Sequence, residues 1–272
     1  LTTNYFQIIR NRVIFSKFLK REVKYDIILP SGTGPFPTLY MNDGQDLEKL
    51  APAQLCQRHY KNGGRPFIWV SLHTNERRLQ EYGTAFIPDY KKRGAQATAY
   101  MHFITREMMP HIQATTPSSA SAGLNYFCGF SLGGLSAFDI VWENPERFSR
   151  AGVFSGSFWW RNKSYEEGYD EDQDRIMHNK IKKGPFRPGL KFWFECGTND
   201  ETEDRNNNGI IDSIEDTLEL IDELHTLGYE EEDTTYVEIR GGEHNFNTWQ
   251  AVFGDFLGWV LEEDPSPAHR EE

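Results

Sequence analysis

The ten residues from Asn125 to Gly134, NYFCGFSLGG, constrain the fold more than any other stretch of the chain. A short apolar run, Tyr126-Phe127-Cys128, leads into Gly129-Phe130-Ser131-Leu132-Gly133. After it, Leu135, Ala137, Phe138, Ile140 and Val141 supply an apolar helical surface that ends near Asn144-Pro145. A serine between glycines, where a buried strand turns into a helix, is the G-x-S-x-G elbow. Gly129 and Gly133 leave space where side chains would collide, and the turn pushes the Ser131 hydroxyl outward. The N–H of Leu132, at the start of the helix, then faces the place where an oxyanion would form.

The rest of the chain can support such a turn. With 272 residues, 38% of them hydrophobic and 14% aromatic, it can build one large α/β domain, and no polar or Pro/Gly-rich linker divides it. A single domain over residues 1–272 is therefore expected. The net charge of −12, from 41 acidic against 29 basic residues, argues against a nucleic-acid partner and against an anionic membrane surface. No apolar run approaches the roughly 20 residues that a bilayer span needs, and the N-terminus shows no Lys/Arg-then-apolar signal pattern. Cys56, Cys128 and Cys196 are an odd count, two of them in apolar strand-like runs, so buried thiols are expected rather than a disulfide. That suits the cytoplasm, or a periplasmic or secreted protein if a leader has been removed.

Tyr5 to Lys17 and Glu22 to Leu29 alternate in polarity and predict an antiparallel pair at a sheet edge. Thr38 to Met41 predicts a buried strand leading into Asn42-Asp43-Gly44-Gln45-Asp46, a loop that can turn backbone N–H groups inward; the second oxyanion donor is assigned to the N–H of Gln45. Phe67 to Leu72 is the next strand, followed by a polar string in which Arg78 and Glu81 are expected to form a structural ion pair beside the site, with substrate contact as the alternative. Thr98 to Ile112 reads as one amphipathic helix. Ala151 to Ser157 is a strand with a loop at its end, and Phe158, Trp159 and Trp160 follow it. Three aromatics at the C-terminal end of a strand are expected to line a substrate pocket, with core packing as the alternative.

Two further strands end in chemistry. Leu190 to Cys196 runs into Gly197-Thr198-Asn199-Asp200, and Thr235 to Ile239 runs into Gly241-Gly242-Glu243-His244. The order Ser131, Asp200, His244 is that of the hydrolase-fold triad, in which the histidine takes the serine proton and the acid fixes its tautomer. His59, His102, His178, His225 and His269 fall on helix-like or terminal stretches, and His73 and His111 precede the elbow, so His244 alone follows the acid on a strand-end loop. Glu201, Glu203 and Asp204 stand close to Asp200 as other acids.

These strings carry a resemblance. Asp43-Gly44-Gln45, Gly129 to Gly134, Cys196 to Asp200 and Gly242-Glu243-His244-Asn245-Phe246-Asn247-Thr248-Trp249 together resemble the Putative esterase family. That family takes in esterase D, the enterochelin esterases, the mycolyltransferases and the feruloyl esterase modules of xylanases, and the feruloyl-esterase-like branch is the nearest. The resemblance implies an α/β-hydrolase fold: a mostly parallel central sheet flanked by helices, with the N-terminal edge strands antiparallel. It implies the triad Ser131, Asp200 and His244, with oxyanion donors at the N–H groups of Leu132 and Gln45. Asp43-Gly44 stands where many hydrolases have His-Gly. A small-molecule or carbohydrate-linked ester is the implied substrate, with no organic cofactor. Acyl transfer to a sugar or alcohol is the alternative within enzymes, and a catalytically silent, calcium-stabilised binding module is the alternative outside them.

One segment departs from that family. Asp204 to Glu215, DRNNNGIIDSIE, fits the calcium-loop template D-x-[DN]-x-[DN]-G-x₅-E at every defined position. Oxygen ligands at alternate positions encircle a hard cation, the glycine permits the sharp turn, and the last glutamate binds through both oxygens. The expected ligands of a structural Ca²⁺ are the side chains of Asp204, Asn206, Asn208, Asp212 and Glu215 with the carbonyl of Ile210. The plainer alternative is an acidic, Asn-rich surface loop before a helix from Ser213 to Leu227.

Overall fold

A computed structural model describes residues 5–263; His269 lies outside them. The described residues form an eight-stranded sheet: β1 (Phe6–Ser16), β2 (Arg21–Pro30), β3 (Thr38–Met41), β4 (Ile68–Leu72), β5 (Asn125–Phe130), β6 (Arg150–Phe154), β7 (Lys191–Asn199) and β8 (Thr234–Glu243). They lie in the order β1-β2-β4-β3-β5-β6-β7-β8. β2 runs antiparallel to both β1 and β4, and every pairing from β4 to β8 is parallel. The antiparallel edge pair and the mostly parallel centre are those expected. After β3 the chain steps to β4 on one side and returns to β5 on the other. The ends of β3 and β5 therefore flank the switch in strand order where open α/β sheets bind ligands.

Helices cover both faces: α1 (Pro52–Lys61), α2 (Arg78–Glu81), α3 (Ala97–Phe103), α4 (Met109–Thr115), α5 (Leu132–Glu143), α6 (Glu171–Asp174), α7 (Ile176–Lys183), α8 (Asp212–Leu227) and α9 (Phe246–Val260). The central strands are buried on both sides, which is why β3 to β6 read as continuous apolar runs. Their side chains still alternate. Tyr40 and Phe127 join the core under α3, α4, α5, α7 and α8, while Leu39, Met41, Tyr126 and Cys128 join the core under α1 and α9. In the second core Phe253 of α9 stacks on Trp69 at 5.2 Å and on Phe154 at 5.4 Å between ring centroids. Full burial of such a ring contributes about 1.5–3 kcal/mol. All three cysteines are buried and unbridged, as expected.

The helix expected over Thr98 to Ile112 is interrupted. α3 and α4 are joined by a π-helical segment, Ile104–Met108, and Pro110 stands in the first turn of α4. Proline has no N–H and its ring crowds the preceding turn, and the wider π turn absorbs both.

Candidate active site

β5 delivers Ser131 into a backbone conformation that L-residues rarely adopt, φ 55° and ψ −126°. A Cβ on Gly129 would lie 2.3 Å from the carbonyl oxygen of Gly133, and one on Gly133 would lie 2.7 Å from Asp43 Oδ2, so neither position admits a side chain. The Ser131 N–H donates to Phe154 O at 2.8 Å, which ties the turn to β6, and Ser131 Oγ lies 3.4 Å from Ser157 Oγ. Leu132 opens α5, and a first-turn N–H has no acceptor inside its own helix.

The loop after β3 is bolted to this elbow by Asn42, which the sequence reading missed. Its Nδ2 donates to Gly133 O at 2.7 Å, and its Oδ1 accepts from Tyr100 OH at 2.6 Å. Asp43 adopts a left-handed conformation and accepts two hydrogen bonds from Arg78, Nε to Oδ1 and Nη2 to Oδ2, each 2.8 Å. The expected Arg78–Glu81 pair does not form. Glu81 is fully buried and is held by Arg21 of β2 at 2.8 and 2.6 Å, while Asp43 engages Arg78. The side chain of Gln45 is engaged by Thr74 N–H and Asp43, while its backbone lies in the first turn of the 3₁₀ segment Gly44–Leu50.

Asp200 and His244 close the other side. Asp200 Oδ2 accepts the Gly197 N–H at 3.0 Å, and a Cβ on Gly197 would meet the Gly242 carbonyl at 2.5 Å, so glycine lets the two strand ends approach. His244 stands edge-on to Trp249, with ring centroids 5.3 Å apart. Its loop is set by Asn245, which caps α9 by accepting from the N–H groups of Asn247 and Thr248. Burial raises the pKa of Asp200, against the Ser155 and Gly197 hydrogen bonds and the charge of His244. Desolvation by the cleft wall lowers the pKa of His244, with Arg78 pushing the same way and Asp200 opposing. The imidazole therefore stays neutral, and able to accept a proton, to lower pH than an ordinary histidine. The acid limb of kcat/KM is expected below 6.5, the usual imidazole value. Arg78→Gln, which removes a positive charge, should move that limb to higher pH, and an unmoved or lowered limb in a pH–rate profile would contradict this electrostatic account.

Ser131 and His244 line one cleft of about 300 Å³ together with Asp43, Gln45, Arg78, Phe246 and Trp249. The aromatic triplet does not belong to it. Phe158 and Trp160 are fully buried in the core, and only Trp159 keeps exposed surface, lining a separate cleft with Arg93, Arg161 and Tyr165. The reason is local: the chain folds inward after Ser157, and Trp160 packs against Gly83 and Gly94.

The loop from Asp204 to Glu215 has the turn that its sequence asks for. Gly209 has φ 89°, Asp204 accepts the N–H groups of Asn208 and Gly209 at 3.1 and 2.9 Å, and Asn208 Oδ1 accepts the N–H of Ile210 at 2.8 Å. The amides of Asn206 and Asn208 converge on the Glu215 carboxylate, at 2.8 and 2.5 Å to Oε1. Asp212 faces Arg205 instead, accepting its N–H at 2.9 Å, and the Arg205 guanidinium also lies 3.5 Å from Glu215. A second group, His178, Asp216 and Glu219, brings one nitrogen and two carboxylates within 4.8 Å of one another. Arg175 and Arg205 already bind Asp216 Oδ1 at 2.7 and 2.8 Å, so this cluster is neutralised by guanidinium and suits a cation poorly.

A family model described as Putative esterase matches residues 16–260. An uncharacterized protein of Bacillus subtilis, YbbA, is 22% identical over 245 residues, covering 87% of this chain and 92% of that protein. The iron(III) enterobactin esterase of Escherichia coli K12 is 29% identical over 119 residues, 43% of this chain and 28% of the relative. Among solved structures, the enterobactin esterase of Shigella flexneri superposes with a TM-score of 0.70 at 21% identity, covering 95% of this chain and 59% of its own. A ferulic acid esterase superposes with a TM-score of 0.71 at 15% identity, covering 94% and 97%. This chain thus spans about three fifths of the Shigella enzyme, and the likenesses show the α/β-hydrolase fold.

Proposed function

The chain belongs to the Putative esterase family and is a carboxylic-ester hydrolase; from that premise we propose that Ser131, His244 and Asp200 act as its Ser-His-Asp triad. What supports this is that the strained Ser131 and the pKa-lowered His244 line one cleft, with Asp200 near enough to His244 to raise its pKa. Ser131 Oγ attacks the ester carbonyl as His244 takes its proton, and the N–H groups of Leu132 and Gln45 receive the negative charge on the carbonyl oxygen. The tetrahedral species collapses to an acyl-serine, and the alcohol leaves with the proton from His244. Water, deprotonated by His244, then releases the acid.

The substrate is an ester of an aromatic acid. The cleft offers the rings of Phe246 and Trp249 and the guanidinium of Arg78 beside Ser131, and structural neighbours include enzymes described as ferulic acid and enterobactin esterases. Ring stacking is worth about 0.5–1.5 kcal/mol beyond burial, enough for several-fold discrimination. A screen of p-nitrophenyl, feruloyl, acetyl-sugar and siderophore-type esters, with an acceptor alcohol present to register acyl transfer, tests this. The expected result is free acid as product and a several-fold higher kcat/KM for a cinnamoyl than for an acetyl ester of one alcohol. Equal values would overturn the aromatic preference.

We further propose a structural Ca²⁺ held by Asp204, Asn206, Asn208, Asp212, Glu215 and the carbonyl of Ile210. The convergence of Asn206 and Asn208 on Glu215 supports it, since a half-turn of either amide presents oxygen where nitrogen now stands. The loop follows Asp200 by four residues, so ordering it steadies the acid. Binding to the folded state alone should raise stability by about 2.7 kcal/mol at 100 times Kd. EDTA should lower Tm accordingly, and Glu215→Gln should lose that shift while Ser131 stays reactive. An unchanged Tm on chelation of the wild type, with no Ca²⁺ binding by calorimetry at millimolar concentration, would remove the ion from this account.

A further inference from the structure

Glu195 lies in β7 five residues before Asp200, on the face of the sheet that α9 covers, where its neighbours Trp193 and Val237 pack. It is 1% exposed, and neither its oxygens nor Asp200 Oδ1 make a hydrogen bond of ordinary length and angle, Ser155 being the one donor close enough to lower the pKa of both carboxyls. Ser155, at the end of β6, stands between the two carboxyls and lowers the pKa of both. Its Oγ accepts the indole N–H of Trp249 at 2.9 Å, and its backbone N–H donates to Glu195 O at 2.7 Å. No Lys or Arg pairs with Glu195 among the described residues. Two carboxyls and one hydroxyl proton leave this buried group one donor short.

We propose that Glu195 is a positioning residue that acts on Asp200 through Ser155. As the neutral acid it donates its proton to Ser155 Oγ, and Ser155 turns its own hydroxyl proton onto Asp200 Oδ1. Ser155 then accepts two hydrogen bonds and donates one, and the Asp200 carboxylate is held from two sides, by Ser155 and by the Gly197 N–H. No proton is gained or lost by the group as a whole. The proposal rests on Asp200 being the triad acid.

Burial, with the Asp200 charge next in size, pushes the Glu195 carboxyl up to about 8 against the opposing Ser155 hydrogen bonds. Other titratable groups are few. Cys196 is the next residue of β7 and faces α8, Tyr236 and Glu238 belong to β8, and the residues facing Glu195 from β6 and α9, Ser155 and Trp249, carry no charge. The sign follows. Below about 8 Glu195 keeps its proton and the relay is intact; as pH rises past that value a second carboxylate forms, competes for the Ser155 proton and leaves Asp200 loose.

The test is kcat against pH from 6 to about 9.5 on a p-nitrophenyl ester, for wild type, Glu195→Gln and Glu195→Met, with Asp200→Asn in parallel. Wild type should show an alkaline limb near 8. Glu195→Gln, whose amide donates but cannot ionise, should keep kcat within about twofold at neutral pH and lose that limb, whereas Glu195→Met should lose about tenfold in kcat at unchanged KM. The proposal is overturned if the Gln variant keeps the wild-type limb or the folded Met variant keeps the wild-type kcat. If the Met variant does not fold, the Gln profile decides alone. Full activity in Asp200→Asn with none in Glu195→Gln would instead make Glu195 the acid and overturn the triad reading itself.

Discussion

Ser131→Ala and His244→Ala each lose about 10⁴-fold or more in kcat, on the order of 5.5 kcal/mol of transition-state stabilisation, while keeping a wild-type circular dichroism spectrum and Tm. The effect is large because serine and histidine act as one unit: without the imidazole the hydroxyl keeps its proton, and without the hydroxyl the imidazole has nothing to activate. The fold survives because neither side chain holds the core together. Ser131 Oγ has Ser157 as its partner at 3.4 Å, and the elbow is fixed by the Ser131 backbone, by Gly129 and by Asn42. Wild-type-like hydrolysis by either pure variant would remove that residue from the mechanism.

Asp200→Asn should lose nearly as much, about 10⁴-fold, through geometry and charge together. The Gly197 N–H now donates to Oδ2. An amide there either turns an NH₂ toward that donor or turns it toward His244, where it stabilises the wrong tautomer and cannot support an imidazolium. Asp204→Asn is the control: its carboxylate accepts the Asn208 and Gly209 N–H groups inside the loop, so the change should affect calcium and leave kcat nearly untouched. If Asp204→Asn abolishes turnover and Asp200→Asn does not, the acid is misassigned.

The strand ends that carry the site were legible because the parallel sheet buries its central strands on both faces and the runs of β5, β7 and β8 stop at glycine, which marks the elbow, Gly197 and Gly242 as places where backbones must approach. What stayed hidden depends on packing between distant segments. α9 drew no helical assignment, although Phe246, Trp249, Val252, Phe253, Phe256, Leu257 and Val260 recur at the three- and four-residue spacing of one helical face; Gly254 and Gly258 on the opposite face weaken the helical signal. Arg78 and Glu81 are close in sequence, yet Arg21 and Asp43 claim them from other elements. Phe158, Trp159 and Trp160 look alike in sequence, and only the chain's inward course after Ser157 separates two core residues from one surface residue. Glu195 reads as one more polar residue at a strand end until Ser155 and Trp249 are seen beside it.

The central claim is that Ser131 is an activated nucleophile, and intact-mass spectrometry after treatment with a fluorophosphonate tests it most directly. The account predicts one adduct per chain, located on Ser131 by peptide mapping, formed in step with loss of esterase activity, absent from Ser131→Ala and slowed by several orders of magnitude in His244→Ala. An unlabelled, fully active protein, or stoichiometric labelling of another residue that abolishes activity, would contradict it.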